Sequence, residues 1–272
     1  MIARFKTDKA GFAGDWHGNT RWAVSCLNAF ADNMMHIVYQ VGDFGVWGGL
    51  EGTEYRKAIQ ETLHVLRQTL VVIPGNHENY DLIESWPTNE FGFIVEPENY
   101  LIWYAPRGHV WLHNDTRFAA LGGAFSIDVG MRKAGKSWWP QEEIKYADVL
   151  ALQANMDAND WWAVDVLLTH DIPAGCSVGQ KRFQLPVDLE NESYRQRMIL
   201  REGVDIAKPQ TIVHGHWHKY LVNVINGVSP DGFDYRADVI GLAEDGNYNN
   251  VMIANIDNII GLDDMKIISY QS

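Results

Sequence analysis

Four short apolar runs in this 272-residue chain each stop on a turn that carries a metal-type ligand. Ile37-Val38-Tyr39-Gln40-Val41 leads into Gly42-Asp43, and Leu70-Val71-Val72-Ile73 leads into Pro74-Gly75-Asn76-His77. Val164-Asp165-Val166-Leu167-Leu168 leads into Thr169-His170, and Thr211-Ile212-Val213 leads into His214-Gly215-His216. Runs of this length, rich in β-branched residues and closed by a turn residue, read as strands. A less apolar first strand over residues 9–14 ends in the same way, at Asp15 and His17. Between the runs the period changes. Trp22, Cys26, Leu27 and Phe30 fall on one face of a helix, and Tyr55, Ile59, Leu63, Leu66 and Leu70 fall on one face of another. Strand–helix–strand alternation predicts parallel strands, with side chains loaded at their carboxyl ends. Residues far apart in sequence are thereby brought to one rim.

Downstream the reading changes to consecutive strands with turns, over residues 100–104, 110–113 and 117–121. The last region is again strand-rich, over 220–224, 234–240, 250–255 and 266–268. Two sheets face to face, mixed in direction and with helices outside, account for this order. Hydrophobic residues make up 46% of the chain and charged residues 21%, as in an ordinary globular protein. No linker-like or low-complexity run divides it, so residues 1–272 read as a single domain. The first six residues hold no signal-like apolar stretch, and no segment is apolar enough to span a membrane. Cys26 and Cys176 do not make a disulfide framework. These features predict a cytoplasmic protein.

Five segments carry the chemistry, in this order: Gly14-Asp15-Trp16-His17-Gly18-Asn19, Gly42-Asp43-Phe44-Gly45, Gly75-Asn76-His77-Glu78-Asn79, Thr169-His170-Asp171 and Gly215-His216-Trp217-His218. A lone Gly-Asp or Gly-Asn-His is most often a turn, and a single strand-end His is most often structural. Together the five mix hard carboxylate and amide oxygens with imidazole nitrogens, which suits two divalent ions held side by side. The pattern resembles the calcineurin-like metallophosphoesterase family, whose signature is D-x-H, G-D, G-N-H-E, H and G-H-x-H in this order. The five blocks run from residue 14 to residue 218 without substitution at the liganding positions.

The resemblance implies a four-layer α/β/β/α sandwich. It places Asp15, His17 and His218 on one ion, Asn76, His170 and His216 on the other, and Asp43 as a bridge between them. The imidazoles favour transition metals over Ca²⁺: Mn²⁺ foremost, with Fe²⁺, Zn²⁺, Ni²⁺ and Co²⁺ as alternatives. The two-residue spacing of Asp15 and His17, and of His216 and His218, would point each pair to one side of a strand end. A hydroxide bridging the ions would attack phosphorus in line. His77, beside the ligand Asn76, would then act as general acid or as a cationic donor to phosphate. His214 fits a structural or supporting place; His36, His64, His109 and His113 read as ordinary.

One departure from the pattern is informative. Protein Ser/Thr phosphatases of this superfamily carry G-D-x-V-D-R-G at the second block. Here the run is Gly42-Asp43-Phe44-Gly45-Val46-Trp47-Gly48, without the second Asp and without the phosphate-clamping Arg. Asp81 is a candidate to orient His77 instead. Substrate would be held from two long segments, 126–140 and 171–190, with Arg132, Trp138 and Arg182 as candidate substrate-binding residues. Formal net charge is −13, and two divalent ions would leave −9. Such a surface repels the backbone of long nucleic acids and favours a small ester. The first functional reading is a phosphodiesterase acting on small nucleotide diesters, cyclic nucleotides among them. Alternatives are a phosphomonoesterase or nucleotide pyrophosphatase, a nuclease or RNA-end-processing enzyme, and a non-enzymatic scaffold.

Overall fold

The computed structural model describes residues 2–180, 184–256 and 259, and the backbone of 265–267. Arg182 lies outside the described residues. The elements in chain order begin with β1 (Arg4–Phe5), β2 (Lys9–Ala13), α1 (Thr20–Asp32), β3 (Ile37–Gln40), α2 (Gly49–Leu66), β4 (Thr69–Val72) and α3 (Tyr80–Glu84). They continue with β5 (Ile94–Val95), β6 (Ile102–Tyr104), β7 (Val110–His113), β8 (Thr116–Leu121), α4 (Tyr146–Asp157), β9 (Val166–Thr169) and α5 (Val187–Ala207). The chain then runs through β10 (Thr211–His214), β11 (Leu221–Val228), β12 (Asp234–Gly241), β13 (Val251–Asn255) and β14 (Met265–Ile267).

These strands make two seven-stranded sheets, in the orders β14-β13-β2-β3-β4-β6-β5 and β1-β7-β8-β9-β10-β12-β11. In the first, β2, β3, β4 and β6 run parallel; in the second, β8, β9, β10 and β12 do. The antiparallel pairs stand at or near the edges, so both sheets are mixed. Period-2 alternation sorts the strand side chains into layers. Phe12, Tyr39 and Val71 point inward and meet Trp111, Phe118, Leu168 and Val213 of the other sheet. Their neighbours Ala13, Val38, Leu70 and Val72 point outward and pack on Cys26, Leu27, Phe30, Tyr55, Ile59 and Leu63 of α1 and α2. On the far side Ala119, Leu121, Leu167 and Ile212 pack on Val149 and Leu152 of α4 and on Ile199, Leu200 and Val204 of α5. Helix, sheet, sheet and helix are thus stacked with three apolar seams between them, as the family resemblance implies. Among the described residues no helix is long and apolar enough to cross a membrane.

Two details differ from the sequence reading. Leu70 is not on the helix of Tyr55, Ile59 and Leu63. Arg67 takes a left-handed backbone (φ 55°) that ends α2, and Leu70 pairs with Val38 and Ile102 inside the first sheet. The long segment after His170 is also shorter than 171–190, because α5 starts at Val187.

Candidate metal centre

All the sequence-predicted ligands stand in loops at the carboxyl ends of parallel strands. Asp15 and His17 follow β2, Asp43 follows β3, Asn76 and His77 follow β4, His170 follows β9, and His216 and His218 follow β10. The expected strand-like alternation by two does not occur at these ends. His17, Asp43, His216 and His218 have φ of 45°, 51°, 65° and 56°. They are four of the nine described non-glycine residues in the left-handed region, a conformation of order 1–3 kcal/mol above the ordinary ones. Strain is therefore concentrated where the chain must fold its ligands back over the strand ends. The signature glycines leave room for this. A Cβ on Gly75 would lie 2.3 Å from Asp43 Oδ1 and 2.8 Å from His170 Nε2, and one on Gly215 would lie 2.1 Å from Asp15 Oδ1.

The side chains form two adjoining groups. In the first, ligand atoms of Asp15, His17, Asp43 and His218 all lie within 4.8 Å of one another. His218 Nε2 is 3.2 Å from Asp15 Oδ2, and His17 Nε2 is 3.6 Å from Asp43 Oδ2. In the second, His170 Nε2 is 2.9 Å from Asn76 Oδ1 and 3.2 Å from Asp43 Oδ1. The His216 ring centroid is 5.1 Å from that of His170. Asp43 thus turns Oδ2 toward one group and Oδ1 toward the other, as a bridging carboxylate must. Asp15 and Asp43 are buried, and buried carboxylates demand compensating charge.

The protonation pattern shows the same demand. Burial works against a proton on His17 and His170, but the neighbouring Asp43 carboxylate more than offsets it, pushing them up to about 10 and about 9. Burial would raise the Asp43 carboxyl, yet His170 and His17 hold it well below the usual range. His216 is pushed down to about 3 by burial and by the charge of His170. In the protein alone, two imidazolium protons stand where divalent cations would supply the charge. The donor set therefore fits two divalent ions.

The sequence as a whole agrees with this geometry. The sequence model of the calcineurin-like phosphoesterase family matches residues 9–220. The chain belongs to that family. Members of the family bind two divalent metals. No curated protein is similar enough in sequence to count as a match. Among solved structures, TT1561 of Thermus thermophilus superposes with a TM-score of 0.52 at 10% identity, covering 93% of this chain and 96% of its own. A dimetal phosphatase from Danio rerio gives 0.51 at 12% identity, covering 91% and 92%. At these identities the likeness is one of fold.

In this phosphoesterase a further set of residues holds the imidazoles from behind. His17 Nδ1 lies 2.9 Å from Asp245 Oδ1 and His218 Nδ1 lies 2.9 Å from Glu244 Oε2. His170 Nδ1 lies 2.8 Å from the Val41 carbonyl oxygen. Each contact leaves Nε2 facing the Asp15 or Asp43 carboxylate, and would make it a better donor to a metal. Glu244 and Asp245 follow β12 and escaped the sequence reading. The only local cue was an acidic pair closed by Gly246 after a strand-like run. Asn250 ties this loop to the first motif: its Nδ2 donates to the Asp15 and Ala243 carbonyls at 3.2 and 2.6 Å. Glu78, the last residue of the third signature block, is also supporting. Buried, it accepts from the backbone N–H groups of Phe44, Gly45 and Val46 at 2.6, 3.2 and 2.7 Å, fastening the Asp43 loop to the Asn76 loop. Asp245→Ala should weaken activation by Mn²⁺ about 10–100-fold, with kcat recovering at saturating Mn²⁺. An unchanged Mn²⁺ titration would show that Asp245 serves only to hold Asn19, to which it also bonds at 2.7 Å.

The remaining candidates separate. His77 donates its backbone N–H to Asp43 Oδ1 at 2.9 Å, which places it beside that carboxylate. Asp81 does not stand free to orient it: its carboxylate accepts from Trp139 Nε1 at 2.9 Å and from Gln141 Nε2 at 3.3 Å. Trp47, at the position of the phosphatase Arg, donates Nε1 to the His77 carbonyl at 3.3 Å. Trp138 is half-buried on the 126–140 segment. The Arg132 guanidinium does not project toward an open cleft. Its side chain is 9% exposed and its donors go to neighbouring protein groups, Glu142 foremost at 2.8 Å. His214 is buried with Nδ1 2.9 Å from the Gly215 carbonyl, a structural place beside the fifth block. His113 is likewise structural, bridging Thr7 and the Tyr39 hydroxyl at 2.7 and 2.9 Å.

Proposed function

We propose that this calcineurin-like phosphoesterase is a binuclear-metal-dependent phosphodiesterase for small diesters, nucleotides such as cyclic nucleotides among them. The observation that carries the reading is the Asp43 carboxylate, with one oxygen toward His17 and the other toward His170, whose Nε2 also meets Asn76 Oδ1. Two divalent ions held there would neutralise the phosphate oxygens and acidify water at neutral pH. Asp15 and Asp43 offset the charge of the ions, and neutral Asn76 adds an oxygen without adding to the negative charge. His77, fixed next to Asp43 by its own N–H, serves as the group that meets the leaving oxygen.

The diester preference rests on the missing clamp. A dianionic monoester gains more from a guanidinium than a monoanionic diester does. Trp47 stands where that Arg would be, and the nearby Arg132 is already engaged with Glu142. The formal charge of −13 further favours a small ester over a grip along a duplex. With Mn²⁺ present, kcat/KM for bis-p-nitrophenyl phosphate should exceed that for p-nitrophenyl phosphate, and rigorously metal-free protein should be inactive. A monoester rate constant well above that of the diester would replace this reading with a phosphomonoesterase. A panel of mono-, di- and cyclic phosphates ranked by kcat/KM then identifies the substrate class.

A further inference from the structure

Ser126 sits at a junction of four side chains just outside the loop that carries Asn76. Asn76 Nδ2 donates to Ser126 Oγ at 2.9 Å. Arg132 Nη1 donates to the same oxygen at 2.7 Å. Ser126 Oγ in turn donates to Glu142 Oε2 at 2.5 Å. The guanidinium closes the ring, with Nη1 3.0 Å from Glu142 Oε2 and Nη2 2.8 Å from Glu142 Oε1. Both Nη atoms also reach the Asn76 backbone carbonyl at 3.3 Å, and Nε donates to the Ser137 carbonyl.

A proton inventory gives this junction a direction. A guanidinium can only donate, and a hydroxyl has one proton and two lone pairs. Glu142 is buried. Its Oε1 faces the Trp139 N–H at 3.0 Å and Arg132 Nη2, and its Oε2 faces Arg132 Nη1 and the Ser126 hydroxyl. Three of these groups, the Trp139 N–H and the two Arg132 Nη, can only donate, and the guanidinium that spans both oxygens holds Glu142 as a carboxylate against the burial that pushes it up to about 7, so the Ser126 proton points to Glu142. One Ser126 lone pair takes Arg132, and the other can only accept. The half of the Asn76 amide that faces Ser126 must therefore be the NH₂. The oxygen is left facing His170 Nε2, on the side of the second ion site. An amide turned by 180° would set two acceptors against each other at Ser126 and present an NH₂ to a cation.

We infer that Ser126, Glu142 and Arg132 form a positioning device that fixes the Asn76 amide with its oxygen toward the second ion, making residues 126–142 a strut of the metal centre rather than a substrate lid. The inference rests on the proposed role of Asn76 as a ligand.

The test is Mn²⁺ binding to metal-stripped protein, followed by calorimetric titration and by electron paramagnetic resonance, which separates a spin-coupled pair from single Mn²⁺ ions. Wild type should bind two ions; one ion only would sink the ligand assignment and this inference with it. Ser126→Ala keeps the Arg132–Glu142 pair and removes the lock. The second ion should bind about 10–100-fold more weakly, the coupled signal should fall, and the first ion should bind as in wild type. Ser126→Thr, which restores a hydroxyl, should recover much of the loss. In Asn76→Asp either oxygen can face the ion while the other meets Ser126 as a second acceptor, so Ser126→Ala added to that variant should not weaken the second ion further. Two tightly bound ions in Ser126→Ala, equal weakening of both, or a full Ser126→Ala effect in the Asn76→Asp protein would each overturn the inference.

Discussion

Asp43→Asn should leave the protein folded but unable to hold both ions, with kcat/KM on a diester lowered by at least about 10³-fold. Asparagine is the informative replacement because Asp43 has φ of 51°. Asparagine tolerates that region far better than alanine, so the backbone is preserved while half of the bridge is lost. The carboxylate has three demands on it. Oδ2 faces His17, Oδ1 faces His170, and Oδ1 also accepts the His77 N–H. An amide supplies one oxygen and no charge, so it can serve one side at most. Elemental analysis should find fewer than two ions per chain, and added Mn²⁺ should not restore the wild-type rate. A variant with two ions and an undiminished rate would show that Asp43 does not bridge.

His77→Ala should retain both ions and still lose about 10²–10⁴-fold on a nucleotide diester, whose sugar alkoxide needs a proton in order to leave. The loss on bis-p-nitrophenyl phosphate should be smaller, since p-nitrophenolate departs without one. The contrast follows from the placement of His77. Its backbone N–H, which alanine keeps, makes the contact with Asp43, while Asn76 reaches His170 at 2.9 Å. Removing the ring should therefore spare the carboxylate geometry. Equal losses on the two substrates would assign His77 to phosphate binding instead, and loss of an ion would make it a ligand.

The strands, the order of the five ligand blocks and the split into sheets and helices could be read from the sequence, because each is written locally. A β-branched run such as residues 70–73 buries both faces of a strand whatever lies beside it. The turn that ends it must carry polar groups, and their identities name the chemistry. The helix ends were less legible. The apolar spacing from Tyr55 to Leu70 continues past Arg67, and only the left-handed turn at that residue cuts Leu70 away into β4.

Tertiary structure alone decided which groups stand behind the ligands. Asp245 reaches His17 across 228 positions and Glu142 reaches Ser126 across 16. Neither contact has a period or a motif: the first forms only where two loops meet at the strand ends, and the second only where the long connection between β8 and α4 folds back on itself. Arg132 shows the same limit from the other side. As one cation in a segment with Lys133 and Lys136, it reads as a phosphate ligand. In the fold, buried Glu142 claims it, because a carboxylate taken out of water needs paired donors more than a solvent-facing site does. Residue types and their order along the chain thus pointed to the phosphoesterase family and to a candidate metal site. The direction of each donor atom depended on partners distant in sequence, which only the packed loops bring within hydrogen-bonding distance.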